Sequence, residues 1–196
     1  MSRYRRSLND PASVPGFTVA ITFMTDNGRA AETQRLKLRR LQATDADFLL
    51  ELLNQRSWIE FIGDRGVRTS AQACIYLTER VDAQFERYGF GMWGVELRDE
   101  PRLIGLVGLV KRDFLPDPDL GFALLDRYAG QGFAFEASGA VLSVARERGL
   151  TRLLAITQPD NERSIALLLR LGFELDESPL VTGDGKPVQR YCWAAR

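Results

Sequence analysis

The chain has 196 residues, enough for one domain with a sizeable core, and its content of 45% hydrophobic and 27% charged residues is that of a globular protein rather than a disordered one. Lysine plus arginine and aspartate plus glutamate each number 26, so the net charge of +0 offers no global attraction to nucleic acid or to an anionic membrane. Histidine is absent, which excludes Ser-His-Asp triads, Cys-His dyads and HExxH zinc sites and leaves proton transfer to carboxylates, hydroxyls, lysine, cysteine or water.

Residues 1–33 are punctuated by Pro, Gly and Asn, lack helical periodicity and read as a partly flexible N-terminal extension with one strand near Phe17 to Phe23. The basic start (Arg3, Arg5, Arg6) weakly mimics a secretory leader, but Pro11, Pro15 and the missing small-residue cleavage site argue against one. No apolar run reaches the roughly 20 residues of a membrane span. Cys74 and Cys192 are isolated thiols without metal-ligand spacing. The expectation is a cytoplasmic protein with no metal and no membrane or nucleic-acid partner.

From residue 34 the pattern becomes regular. Leu36, Leu38 and Leu41, alternating with basic residues, predict a first strand. Thr44 and Asp47 have capping-box spacing ahead of a helix running to about Arg56, with Phe48, Leu49, Leu52 and Leu53 on one face. Trp58 to Arg68, with Gly63 and Gly66, reads as a loop. Thr69 and Gln72 form a second box before a helix carrying Cys74, Leu77, Val81, Phe85 and Tyr88. Met92 to Leu97, Leu103 to Lys111 and Leu120 to Leu125 predict three strands, the second nearly all apolar and therefore central. A helix follows from about Phe133 to Arg148, then a strand from Leu153 to Thr157. The next helix, Asn161 to Leu171, is expected to bury Ile165, Leu168 and Leu169. Phe173 to Leu175 and Val188 to Trp193 predict late strands around a turn at Gly183 to Gly185. Alternation at the end and a meander in the middle predict an α/β fold with a mixed sheet.

The informative segment is Leu120 to Ala137, LGFALLDRYAGQGFAFEA: a strand, a short loop with Gly130 and Gly132, and a helix start. Glycines let a backbone approach phosphate oxygens, and the first helical N–H groups have no intrahelical partner, so such a turn can hold an anion. An ordinary strand-to-helix turn has the same look. A P-loop is disfavoured because no Lys-Ser/Thr follows, and a dinucleotide fingerprint because GxGxxG is incomplete. Downstream, NERSIALLLRLGF opens a helix with Asn161 and Ser164 and ends it at Gly172-Phe173.

Together, RYAGQGFAFEA and TQPDNERSIALLLRLGF resemble the GNAT superfamily of N-acetyltransferases, with its ribosomal-protein N-terminal acetyltransferase-like (RimJ/RimL-type) branch as the best match, over residues 34–196. The resemblance implies a mostly antiparallel central sheet with flanking helices, splayed at the middle strands. It also implies acetyl-CoA as the acyl donor and direct attack by a primary amine, on a protein N-terminus or a small molecule, in a ternary complex of a monomer or homodimer. A non-catalytic acyl-CoA-binding module is the rival. Cofactor contacts carry over to Leu125, Ala129, Gly130, Gln131, Gly132, Phe133 and Ala134, and to Asn161 and Ser164. Two registers fit the loop, one led by Arg127 with Gly130 and Gly132, the other by Ala129 with Gly132 and Ala134; the second keeps Tyr128, Glu136 and Ala137 in their usual places. Asn161 also reads as a helix N-cap, and Glu136 as a carboxylate favouring the helix dipole. Many members place a tyrosine acid where this chain has Leu168, so Ser164 becomes the candidate donor to the leaving thiolate, with a structural first-turn serine as the alternative. Asp119 is the candidate general base, with Glu96, Asp113 or water as alternatives. Trp58, Phe61, Asp64 and Arg65 fall where the family borders its acceptor, and packing alone also accounts for Trp58 and Phe61.

Overall fold

A computed structural model describes residues 29–181 and 187–195. The strand expected near Phe17 to Phe23 and the turn at Gly183 to Gly185 lie outside these residues. Among the described residues, eight strands form one sheet in the order β1-β2-β3-β4-β5-β6-β8-β7. They are β1 (Arg29–Glu32), β2 (Leu36–Arg39), β3 (Met92–Leu97), β4 (Leu103–Val110), β5 (Asp119–Leu124), β6 (Arg152–Thr157), β7 (Glu174–Val181) and β8 (Pro187–Ala194). Every neighbouring pair is antiparallel except β5 with β6, which is parallel.

The helices are α1 (Ala46–Leu53), α2 (Arg56–Phe61), α3 (Ser70–Tyr76), α4 (Ala83–Tyr88), α5 (Phe133–Glu147) and α6 (Glu162–Arg170); a π-helical stretch, Leu77–Asp82, joins α3 to α4. β4 is buried from Leu103 to Leu109, as its apolar run predicts. Its Ile104 and Val107 join the core under α5, with Leu36, Val95, Ala137 and Val141, while Leu103 and Leu106 join the core under α1 and α3, with Leu49, Leu52 and Leu77. The sheet is thus covered by helices on both faces.

The structure corrects four local expectations. Residues 29–32, read as part of the extension, are an edge strand on β2, held by backbone pairing that no periodic pattern signals. The first capping box is Gln42 with Asp45 rather than Thr44 with Asp47, because a 3₁₀ turn over Ala43–Asp45 precedes α1. Trp58 to Phe61 is helical, within α2, and the loop begins only at the positive-φ Gly63. In α6 the buried residue is Leu168, at 0% exposure, whereas Leu169 is 54% exposed, so the apolar stripe is narrower than three leucines in a row imply. The Thr69–Gln72 box is present as expected, with Thr69 Oγ1 accepting from the Gln72 amide at 3.2 Å.

Candidate functional site

The parallel joint between β5 and β6 holds at one residue pair only, Asp119 opposite Leu154, with the Leu154 amide donating to the Pro118 carbonyl at 2.9 Å. Beyond it β5 stays paired with β4 as far as Leu124, and β6 stays paired with β8 as far as Thr157. A slot therefore opens between 121–124 and 155–157, and these β5 residues are only half-buried although the strand is fifth of eight. The slot belongs to a cleft of about 1580 Å³ lined by β5, the loop at 129–134, the start of α6, the end of α2 and the α3–α4 helical face.

Residues of an extended strand turn their backbone groups alternately to either side. The Leu125 amide donates across to β4, at the Ile104 carbonyl (2.8 Å), while the Leu124 carbonyl accepts from Gln55 Nε2 (3.4 Å) on the slot side. This phase turns Phe122 and Leu124 toward the slot. Leu125 was expected among the cofactor contacts, yet its side chain is fully buried, its amide serves β4 and its carbonyl accepts from Tyr128 (2.8 Å). The correction is one residue, and alternation is its cause. Gln55 also accepts from the Asp126 amide at 2.6 Å and so closes the end of β5.

The glycine loop leads into α5 with Gly130 at φ 76° and Gly132 at φ 81°, conformations that an L side chain rarely adopts. Gly132 is the N-cap residue, and no side chain caps this helix; α3 and α6 are capped by Thr69 and Asn161. The amides of Phe133 and Ala134, at the start of α5, are thus left to an external acceptor with the positive end of the dipole behind them. Ala129, Gly130, Gly132, Phe133 and Ala134 line the cleft; Gln131 does not, its carbonyl instead accepting from Arg35 Nη1 at 3.1 Å. Arg127 turns to Glu51 on α1, away from the cleft, which fits the register led by Ala129.

Glu136, read as a dipole partner, does something more specific. Its buried carboxylate accepts from Thr33 Oγ1 (2.6 Å), the Arg35 amide (2.9 Å) and Arg35 Nε (2.6 Å). Arg35 also packs over the Phe133 ring at 4.4 Å, so it braces the loop from outside.

Asn161 Oδ1 accepts from the Ser164 amide at 3.1 Å, which makes it the N-cap of α6, and both residues line the cleft. Leu168 faces the core. Asp119 is 1% exposed and lines the cleft at the vertex of the slot, with both oxygens near Arg112 Nε (3.0 and 3.1 Å). Burial pushes its carboxyl above the usual carboxylate range, against the pull of Arg112. Of the alternative bases Asp113 lines the cleft, whereas Glu96 is ion-paired with Arg39 outside it.

Trp58, Phe61, Asp64 and Arg65 all line the same cleft. Trp58 is 6% exposed and its Nε1 has no hydrogen-bond partner. Arg68 holds the exposed Asp64 down at about 2. Gln158 Nε2 donates to the Glu60 and Phe61 carbonyls (3.1 Å each), tying the end of α2 to the segment before α6. Tyr76 was not anticipated. It lines the cleft, burial pushes its phenol up, and Arg65, Arg80 and Arg112 pull the other way. Its helical spacing to Arg80, Ala83 and Arg87 was a usable signal, although a mixed polar face ordinarily means solvent.

Among the described residues no helix is long and apolar enough to cross a membrane, and no cluster of His, Cys, Asp and Glu could hold a metal. The chain is 29% identical over 147 residues to an N-acetyltransferase of Bacillus subtilis, YoaA, covering 73% of this chain and 81% of that one. It is 31% identical over 106 residues to the [ribosomal protein uS5]-alanine N-acetyltransferase of Escherichia coli, covering 53% of each. Its fold superposes on RimL, the ribosomal L7/L12 α-N-protein acetyltransferase solved with coenzyme A, with a TM-score of 0.69 at 18% identity over 85% of this chain and 97% of that one. The profile of the acetyltransferase (GNAT) domain matches residues 35–174, from the residue that braces the glycine loop to the first residue of β7, and by that match the chain belongs to the GNAT acetyltransferase family.

Proposed function

We propose that this acetyltransferase uses the slot and the glycine loop as one acetyl-CoA site and delivers the acetyl group to the α-amino group of a protein N-terminus. The observation that carries the reading is the continuity of β5, opened from β6 after one pair, with a loop whose helix has no side-chain cap. The donor set fits an extended ligand with an anionic end. Backbone amides at 130–134 meet the anion, and the slot-facing groups of Phe122 and Leu124 meet amide groups along the arm. Bound acetyl-CoA supplies an acyl group activated as a thioester.

The residues around the slot then have distinct tasks. A slot-facing amide of β5 donates to the acyl oxygen as it gains negative charge. Asp119, at the vertex, takes the proton the attacking amine must lose, and a raised carboxyl pKa makes it a stronger base. Ser164, in the first turn of α6, donates toward the departing sulfur. Trp58, Phe61, Asp64 and Arg65 form the acceptor wall. Neither cysteine lines the cleft, which favours direct transfer over an acyl-cysteine. The N-terminal acceptor is supported by the E. coli relative, named for an alanine of ribosomal protein uS5.

The test is thiol release from acetyl-CoA against a panel of N-terminal peptides and small amines, with products identified by mass spectrometry. Peptide acetylation at the α-amine is the expected result. Turnover of polyamines or amino acids alone would move the acceptor to small molecules. Binding of acetyl-CoA without turnover of any amine would reduce the protein to a binding module.

A further inference from the structure

The acceptor end of the cleft holds more positive charge than the reaction described so far uses. Arg65 comes from the loop after α2, Tyr76 from the end of α3, Arg80 from the π-helical stretch Leu77–Asp82 and Arg112 from the segment after β4; all four line the cleft. π-helical turns are frequent at functional sites. Arg65 and Arg80 are exposed, and neither has an ion-pair partner among the described residues. Arg65 donates only to the Ile62 carbonyl at the end of α2 (3.3 Å), and Arg112 gives only its Nε to Asp119. Of the cleft carboxylates at this end, Asp64 is taken by Arg68 and Asp119 by Arg112. Glu79 and Asp113 are left against Arg65, Arg80, Arg87 and Lys111, a surplus of positive charge. Tyr76 sits among these groups. It is half-buried, and its hydroxyl makes no hydrogen bond among the described residues. Arg65, Arg80 and Arg112 all act on it electrostatically, so charges from three separate segments converge on one unpartnered polar atom.

An acceptor that reacts at Asp119 brings its amine beside Arg112, and the residues behind that amine then pass the other guanidinium groups. We infer that this cluster selects peptides with Asp or Glu as the second or third residue. Arg65 and Arg80 hold the side-chain carboxylate by charge-assisted hydrogen bonds, and the Tyr76 hydroxyl donates to it. The inference rests on the N-terminal acceptor reading above and narrows that acceptor to acidic N-terminal sequences.

The test uses the full chain and matched peptides that differ only in carrying Asp, Glu, Gln or Lys behind the first residue. Acetylation kinetics with acetyl-CoA and calorimetric binding of the same peptides to the CoA-bound enzyme give two independent readouts. Wild type should favour Asp or Glu over Gln about 10-fold in kcat/KM, mostly through KM, the lower end for hydrogen bonds to a charged group. The preference should fade at high salt, because the arginines are exposed and screened. Arg65→Gln and Arg80→Gln should each shrink it, Tyr76→Phe should shrink it without changing the charge, and Arg80→Glu should turn it toward Lys. If Arg80→Gln lowers the melting temperature, Arg65→Gln decides, since Arg65 is exposed and bonds only within its own loop. Equal handling of Asp and Gln peptides by wild type overturns the inference and leaves the N-terminal acceptor standing. A preference that survives both arginine substitutions, or an equal loss of rate for every peptide, also overturns it. Failure of wild type to bind or acetylate any peptide sinks the N-terminal acceptor reading and this inference with it.

Discussion

Arg35 and Glu136, 101 residues apart, form an ion pair at 2.6 Å across the back of the glycine loop. The carboxylate is nearly inaccessible and the guanidinium is 41% exposed, so burial raises the cost of breaking the pair from the carboxylate side. Because Arg35 also holds the Gln131 carbonyl and stacks on Phe133, the pair sets the loop's position as well as the fold's stability.

Glu136→Gln should therefore lower unfolding free energy by about 1.5–3 kcal/mol, the worth of hydrogen bonds to a charged group, and should weaken CoA binding as well. Arg35→Ala should weaken CoA binding with a smaller loss of stability, since its own side chain is partly solvated. Urea denaturation and calorimetry on the two variants separate these effects. Unaltered CoA affinity in both would show that the brace serves folding alone.

A chain beginning at Met24 should keep the melting temperature and CoA affinity of the full chain. A chain beginning at Gln34 should lose both in part, because it removes β1 and the Thr33 hydroxyl that donates to Glu136. Equal melting temperatures for the two truncations would place the boundary of the domain after residue 33.

Acetyl-CoA should raise the melting temperature by mass action, as any ligand selective for the native state does. Gly132→Leu should abolish that shift. Its backbone sits at φ 81°, where an L residue costs roughly 1–2 kcal/mol, and a Cβ there lies 3.5 Å from Arg35 Nη2 on the way to a larger side chain. A persistent ligand shift in Gly132→Leu would move the anion site elsewhere.

The pH dependence of kcat/KM should carry an acid limb from Asp119, at a pH above the ordinary carboxylate value because burial raises the group. The base must be ionised, so activity falls as pH drops through that limb, and Asp119→Asn should lower the rate and remove it. The sign of the linked stability is opposite to that of most aspartates. A carboxyl whose folded pKa exceeds its unfolded one binds its proton more tightly when folded, so its contribution declines as pH rises through the interval between them. Wild type should therefore lose stability relative to Asp119→Asn between acidic and neutral pH in paired denaturation curves.

Ser164→Ala should slow turnover about 10- to 100-fold, the lower part of the range for a positioned acid, with the Kd for acetyl-CoA nearly unchanged. The amide that Asn161 caps is retained in the variant, so α6 should stay intact. A wild-type rate would assign the thiolate's proton to water, and loss of CoA binding would make the serine structural.

The parts of this fold legible in sequence were those with local causes. The apolar run of β4, the Gly130–Gly132 turn and the Asn161 cap each declare themselves within a few residues, and their elements fall close to the expected bounds. The slot did not declare itself, because it consists of pairing that β5 and β6 fail to make, and each strand alone looks ordinary. Leu125 was misjudged by a single residue, which in a strand exchanges the slot side for the β4 side. Arg35, Gln55 and Gln158 read as surface polar residues until their distant partners, Glu136, Leu124 and Phe61, are seen beside them.

The lone rung at Asp119 and Leu154 also makes the slot a ruler. From the rung to Leu124 the strand advances five residues, roughly 17 Å at the usual rise of an antiparallel strand. On the acetyl-CoA reading, a ligand fixed by its anionic end at Gly132 and extended along β5 would be measured against a stop: a short acyl group would end before the buried Asp119 carboxylate and its Arg112 partner, whereas a long one would run into charged groups that are costly to strip of their partners. Selectivity for acyl length would then reside in how far the two strands remain zipped, and lengthening the zipped region by one residue pair would shorten the gauge by one strand step.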